Sequence, residues 1–186
     1  MSQQAAWKLA VIGGVGVVAG VVLLSAHWTI AELAALVGFV LVARGALHLV
    51  TASFVGLAGA CAVLDVAGDV GVGITALAWP EPTLLSLVLV VGSWAILRSV
   101  VVGTIAATTR ADDPCWPLSI VFATVEVVLG VVLVARPGGS VRGTAVTISL
   151  LVLIEGAREM LEAAFRQRRE HRSRQAVHQR SAAVTS

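Results

Sequence analysis

The sequence predicts an all-α polytopic membrane protein with six transmembrane helices arranged as three repeated helical hairpins. Three observations predict it: the composition, six apolar segments of membrane-spanning length, and an internal repeat. Of the 186 residues, 58% are hydrophobic and 13% are charged, whereas soluble domains are about 45–50% apolar and about 25% charged. This composition excludes an ordinary soluble domain. It also excludes a disordered chain, which needs low hydrophobicity and high charge.

Six apolar segments follow one another along the chain. Each is close to the roughly 20 residues that a helix needs to cross about 30 Å of hydrocarbon. Clusters rich in Pro, Gly or polar residues separate the segments, and such clusters break helices or turn the chain. The segments lack the two-residue alternation of a membrane β-strand, so we expect helices. They cover residues 9–26, 31–54, 57–79, 83–106, 116–135 and 141–165.

The internal repeat divides one transmembrane domain, residues 1–165, into three hairpins. Small residues recur seven positions apart in each copy, and since seven residues make nearly two turns, they lie on one helix face. Small faces let lipid-solvated helices pack closely. The hairpins cover about residues 7–54, 57–106 and 115–165. The helix-packing residues are Gly20, Gly38, Gly45, Gly73, Gly92, Ser99, Gly130, Ser149 and Gly156.

A turn follows the first helix of each copy at an equivalent position. Seven residues after the aligned glycine stand His27, Pro80 and Pro137, and Pro82 belongs to the second of these turns. Proline cannot continue a helix. The prolines therefore predict where the chain reverses direction.

The basic residues predict the orientation in the membrane. Six spans place both termini on one side, which would hold Lys8, Arg110 and the arginines of the tail, while Arg136 and Arg142 lie on the other side. Basic residues are in excess on the cytoplasmic side of membrane proteins. We therefore expect a multi-pass protein of the bacterial inner membrane with both termini in the cytoplasm.

Residues 166–186 form a basic tail that we expect to be cytoplasmic and largely disordered. Basic residues next to a membrane attract anionic lipid, so anionic lipid is an expected partner besides the bilayer itself. Nucleic acid is not expected as a partner, because no aromatic residue follows Phe165.

The repeat, its turn prolines, and Arg98 followed by a small residue resemble the HdeD-like acid-resistance proteins, which are six-helix bacterial membrane proteins. The resemblance covers roughly residues 7–165. The first copy departs from the pattern with His27 in place of a proline, and the third copy has Glu155 where the others have Arg. The resemblance implies a six-helix fold and a role in acid or stress tolerance. It carries over no catalytic residue.

Charged side chains inside the apolar segments are the candidate functional residues. A charge at the bilayer centre costs about 2.5–3.5 kcal/mol on insertion scales, so these groups should face the bundle interior, pair with one another or change protonation. We expect Asp69 and Glu126 to approach Arg44 and Arg98 near the membrane midplane. The candidate network consists of Arg44, His48, Asp65, Asp69, Arg98, Glu126, Glu155 and Arg158.

The network has three open interpretations. It could fix helix register and partner choice, it could titrate and couple to proton movement or pH sensing, or it could line a path for a polar substrate. The whole protein has three candidate functions: a non-enzymatic protein of acid or stress tolerance, a small proton-coupled transporter or channel that uses the intramembrane charges, and an assembly or scaffold subunit of a membrane complex. A homo-oligomer or a membrane partner is also possible.

Enzymatic activity, metal ions and cofactors are not expected. The sequence contains no visible nucleophile–base pair, phosphate loop or dinucleotide fingerprint. No set of His, Cys, Asp and Glu has the spacing of metal ligands. The protein is therefore predicted not to be an enzyme.

Overall fold

The computed structural model describes residues 3–25, 27–51, 56–78, 83–111, 115–136 and 139–185. These residues form an all-α structure of six helices. The helices are α1 Gln3–Ser25, α2 Ile30–Thr51, α3 Gly56–Ala78, α4 Leu84–Thr108, α5 Trp116–Ala135 and α6 Val141–Thr185. The predicted turn residues Pro80, Pro82 and Pro137 lie outside the described residues.

Three of the helices are long and apolar enough to cross a membrane, over Ile30–Val50, Leu84–Thr108 and Trp116–Ala135. Large apolar side chains cover the outside of the bundle; for example, Phe39 is 66% exposed and Val121 is 60% exposed. An apolar exterior of this extent suits contact with lipid and not with water. The chain is a membrane protein whose helices contact the bilayer.

Helix α6 is longer than the sixth apolar segment. It continues to Thr185, whereas the sequence predicts that residues 166–186 are largely disordered. This stretch is rich in Arg, Gln and Ala, which rank among the strongest helix formers. Local helix propensity therefore accounts for a helix that continues beyond the apolar segment.

The six helices form a closed ring. Packing is closest between α1 and α6, between α2 and α3 and between α4 and α5, and it is looser within each sequence hairpin. Each closely packed pair joins the second helix of one hairpin to the first helix of the next, and α6 with α1 completes the ring. The hairpin is thus the repeating unit of the sequence, while the closely packed unit spans two hairpins.

Glycines form the centre of two of these interfaces. A Cβ atom added to Gly73 would lie 2.8 Å from the carbonyl oxygen of Gly38, and one added to Gly130 would lie 3.2 Å from that of Gly92. The backbones of α2 and α3, and of α4 and α5, can approach this closely only because no side chain intervenes.

Glycines also allow close backbone approach at the α1–α6 interface. A Cβ atom added to Gly156 would lie 2.6 Å from the carbonyl oxygen of Gly13, and Gly20 packs against Leu153. Of the other predicted packing residues, Gly45 packs against α3. Ser99 and Ser149 are buried.

The second helix of each hairpin begins with an equivalent hydroxyl cap. Thr29 forms a capping box with Glu32, since its hydroxyl accepts from the Glu32 N–H and its own N–H donates to the carboxylate. Thr83 forms such a box with Ser86, and Ser140 accepts from Gly143 N–H. These caps satisfy backbone donors that a helix start leaves free.

The bundle has two halves of different character. We call the half next to the connections within the hairpins the turn half, and the opposite half, where α1 begins and α2 ends, the terminus half. A continuous apolar core fills the turn half. Its buried members are Leu23, Leu33, Ala34, Val37, Leu41, Leu87, Val88, Val91, Leu133, Ala145, Ile148 and Leu151.

Candidate functional site: a buried charge cluster

Charged side chains from five of the six helices meet inside the bundle, between its middle and the terminus half. We refer to them together as the charge cluster. Helices α2 to α6 each contribute at least one member, and the ring geometry aims them at one another. The cluster consists of Arg44, His48, Asp65, Asp69, Arg98, Glu126, Glu155 and Glu159.

Arg44 of α2 connects α3 and α6. Its Nη2 donates to Glu159 Oε1 at 3.0 Å, and its Nε lies 3.7 Å from Asp69 Oδ2. It also forms an ion pair with Glu155. The side chain of Arg44 is 11% exposed, so these carboxylates replace water around its guanidinium group.

Arg98 of α4 is more deeply buried, with 2% of its side chain exposed. Its Nε lies 3.3 Å from Asp65 Oδ1, and it also pairs with Glu155. A guanidinium group in such surroundings is held by several acids, as a buried charge requires.

Glu155 is the carboxylate that the two arginines share. It occupies the repeat position at which the first two copies have Arg44 and Arg98. Replacing a third arginine by an acid places opposite charges where three like charges would otherwise meet. The departure of the third copy from the repeat pattern therefore lets the arginines of the other copies lie close together.

At a second repeat position, the first copy has a glycine where the other two copies have an acidic residue. Asp69 and Glu126 stand four residues before the aligned glycines of α3 and α5, and Gly16 takes this place in α1. A Cβ atom on Gly16 would lie 3.2 Å from Gly156 Cα. The α1–α6 interface thus lacks an acid on α1 and carries Glu155 on α6 instead.

Asp69 is held by a tryptophan. The Trp94 indole N–H donates to Asp69 Oδ1 at 2.9 Å, and the carboxylate side chain is 1% exposed. Gly68 makes room for the indole, because a Cβ atom there would lie 1.8 Å from the ring. The other oxygen, Asp69 Oδ2, is buried without a hydrogen-bond donor.

Glu126 is also 1% exposed, and it contacts a neutral hydroxyl group. Ser99 Oγ donates toward Glu126 Oε2 at 3.0 Å and toward the carbonyl oxygen of Ala95 at 2.6 Å. A hydroxyl has one hydrogen to donate, so the two acceptors share it. The other carboxyl oxygen, Glu126 Oε1, is buried without a hydrogen-bond partner among the residues that the structure describes, and Glu126 forms no ion pair with any of them.

His48 and Glu159 extend the cluster toward the end of the bundle. His48 Nε2 lies 3.2 Å from Glu159 Oε1, the same oxygen that accepts from Arg44. The His48 side chain is 18% exposed and that of Asp65 is 24% exposed. These two side chains are the members of the cluster on α2 and α3 that lie nearest the terminus half, and both are partly exposed.

Arg158 was predicted as a member of the network, but it lies apart from the cluster. Its Nε is 3.8 Å from Glu162 Oε1 on the same helix. Arg158 is 7% exposed, and its Nε and Nη1 have no hydrogen-bond partner. Four residues separate Arg158 from Glu162, so this is a neighbour pair along one helix face.

Two small cavities adjoin the cluster. One of about 40 Å³ is lined by Asp69, Trp94, Glu126 and Glu155. Another of about 20 Å³ lies against Arg44 and Glu155. Cavities of this size and polarity accommodate water molecules, but no organic solute fits them.

Metal binding is not indicated by the part of the chain that the structure describes. Within it, no group of three or more His, Cys, Asp or Glu side chains is placed to hold a metal ion. The carboxylate oxygens of the cluster instead face guanidinium groups, a serine hydroxyl and an indole N–H.

The structure brings Asp69 to within 3.7 Å of Arg44. Glu126, which was expected near Arg98, contacts Ser99 and lines a cavity with Asp69 and Glu155. The candidate network did not include two residues that complete the site. Glu159 has a readable signal, since it follows Glu155 by one turn and shares its face. Trp94 has none, because its role depends on Gly68 of another helix.

A comparison with known protein families identifies the family of the chain. Residues 67–135 and again residues 121–179 match the family described as a short repeat of unknown function, DUF308. The chain belongs to this family. No curated protein and no solved structure matches the chain. Together the two overlapping matches span most of the second copy of the hairpin repeat and all of the third copy.

Proposed function

We propose that the chain is a six-span, non-enzymatic protein of the bacterial inner membrane that serves acid or stress tolerance. In this proposal the charge cluster takes up protons from the side of the membrane that holds the termini. The resemblance to the HdeD-like proteins supports the physiological role. The contacts of Glu126 with its surroundings support the chemistry.

The balance of charges in the cluster favours bound protons. Five carboxyl groups face two guanidinium groups and one imidazole. An unpaired carboxylate in a low-dielectric interior is costly, and such groups become neutral by taking up a proton. This excess of carboxyl groups over cationic partners supports proton uptake by the cluster.

The single observation that carries this proposal is the set of contacts around Glu126. Its side chain is 1% exposed, and it forms no ion pair with any residue that the structure describes. It contacts the neutral hydroxyl of Ser99, which also donates to the carbonyl oxygen of Ala95. A buried carboxyl group without a counter-charge is the kind of group that binds a proton.

The route for protons leads from the terminus half. His48 is one of the partly exposed members and contacts Glu159, which contacts Arg44, and Arg44 in turn contacts Glu155. Toward the turn half the side chains beyond the cluster are those of the apolar core, such as Val91 and Ile148. This arrangement favours proton binding from one side over conduction across the membrane, so it weighs against the transporter alternative.

The chemical part of the proposal is tested by infrared spectroscopy of the purified full-length protein in lipid at neutral pH. We expect a carboxylic acid C=O band that the Glu126→Gln variant lacks and the Glu162→Gln variant retains. A spectrum without such a band in the wild type, or a band unchanged in Glu126→Gln, would contradict proton binding at this site.

The physiological part is tested in the bacterium that carries the protein. Deletion should lower survival after acid exposure, and the wild-type gene should restore survival. Equal survival with and without the protein would contradict the role in acid tolerance. The infrared result stands independently of this outcome, because it concerns the cluster alone.

A further inference from the structure

A crevice between the ends of α5 and α6 lies in the turn half, far from the charge cluster. Its volume is about 320 Å³, against about 40 Å³ and about 20 Å³ for the cavities beside the cluster. Val132 and Leu133 form an apolar wall, and Arg136, Ser140 and Thr144 bring polar groups to it. The crevice is therefore amphipathic, with its polar part at the helix ends.

Three polar side chains of the crevice have donors available to a ligand. Thr144 is buried, with 5% of its surface exposed, and lines the crevice, and its hydroxyl makes no hydrogen bond to any residue that the structure describes. Arg136 is exposed and has no ion pair within the described part of the chain. Ser140 Oγ accepts from Gly143 N–H, so its own hydrogen remains available. Because the rest of the Thr144 side chain is buried, the crevice is where its hydroxyl can meet an acceptor.

The electrostatics of the crevice select an anion. No carboxylate is among its lining residues. Helix α6 begins at Val141, and the start of a helix carries partial positive charge. Arg136 adds a full positive charge at the same end. Arginine and hydroxyl donors around one point match the oxygens of a phosphate group.

We propose that this crevice binds a phosphate group, held by the Arg136 guanidinium and the hydroxyls of Ser140 and Thr144. The apolar wall and the position at the end of two membrane helices fit the head group and glycerol of an anionic phospholipid. A free phosphate ion offers the same oxygens to the same donors. The site does not depend on the charge cluster or on the role in acid tolerance.

The test uses the full-length protein in nanodiscs of phosphatidylcholine with a minor fraction of phosphatidylglycerol, and native mass spectrometry counts the lipids retained. The wild-type protein should retain phosphatidylglycerol in preference to phosphatidylcholine. Arg136→Gln should lower this preference about tenfold, because it removes charge-assisted hydrogen bonds. Thr144→Val should lower it by a smaller factor while preserving side-chain volume.

Arg142→Gln is the matched control. Arg142 is exposed near the same end of α6 but does not line the crevice, so its loss removes one charge and leaves the site intact. We expect wild-type lipid retention in this variant. An equal loss in the two arginine variants would show general surface attraction and overturn the proposal.

A second arm separates the two sources of phosphate. Equilibrium dialysis with labelled inorganic phosphate is carried out in nanodiscs of phosphatidylcholine alone. Binding that Arg136→Gln abolishes would assign the site to free phosphate, and retention of phosphatidylglycerol without such binding would assign it to lipid. Wild-type protein that shows neither binding nor lipid preference would overturn the proposal.

Discussion

The turn half and the terminus half of the bundle are built from the same six helices and the same close helix pairs, but their interiors are opposite in character. In the turn half, side chains such as Leu33 and Ile148 are at most 1% exposed and entirely apolar. From the middle of the bundle toward the terminus half, side chains buried to the same degree include Asp69 and Glu126.

This difference indicates which half of the bundle accounts for the association of the helices. Close packing of small and apolar side chains is sufficient to associate helices in lipid, as the turn half demonstrates. Buried charges add little net stability, because desolvation offsets their attraction. The cluster in the terminus half is therefore better explained by function than by folding, and variants in the two halves should behave differently.

The largest effect is expected when one partner of the cluster is removed. Arg98→Met should lower the free energy of unfolding by about 3–5 kcal/mol at neutral pH, because Glu155 and Asp65 lose a buried counter-charge. The loss should shrink as the pH falls, since protonated carboxyl groups need no counter-charge. Unfolding in detergent at several pH values measures both. Arg142→Met, at an exposed position, should change stability by no more than about 0.5 kcal/mol.

In the turn half, Ile148→Ala should cost about 2–3 kcal/mol by opening a cavity. This cost should be the same at every pH tested, because no titratable group belongs to the apolar core. Leu150, on the lipid-facing side of the same helix, is 39% exposed, and its replacement by Ala serves as the control. A pH-dependent effect of Ile148→Ala on stability would contradict the distinction between the two halves.

A smaller effect is expected at a glycine interface. Gly73→Ala should cost about 1–2 kcal/mol through overpacking, since the new Cβ atom would lie 2.8 Å from a carbonyl oxygen of α2. Gly71→Ala is the matched control on the same helix, because nothing lies within 4 Å of its Cβ position. That variant should be neutral or gain up to about 1 kcal/mol from helix propensity. The comparison is read by thermal unfolding, and equal stability of the two variants would argue against close α2–α3 packing.

The smallest effect concerns the hydrogen bond of Glu126. Ser99→Ala should cost about 1 kcal/mol and should shift the infrared band of the protonated carboxyl group. Ser149→Ala removes a hydroxyl that donates only to Ala145 of its own helix, so it should leave the band unchanged. The same shift in both variants would mean that Ser99 has no specific role.

The sequence predicted much of the fold and part of the site. Apolar segments and Pro-rich connections indicate six helices, and the cost of charge in lipid indicates that Arg44, Arg98 and their acids face inward. The sequence does not predict which helices pack most closely. The spacing of small residues defines a face of each helix, but it does not say which neighbouring helix contacts that face. The role of Trp94 likewise depends on Gly68 across an interface.

The separation of the cluster from the turn half is tested most directly by cysteine accessibility in oriented membranes. Cys61 and Cys115 are replaced by Ser, and single cysteines are placed at His48 and Val91. A membrane-impermeant thiol reagent should label the cysteine at 48 from the side of the termini only, and it should label the cysteine at 91 from neither side. Labelling at position 91 from the turn side would contradict a charge cluster that opens to one side of the membrane.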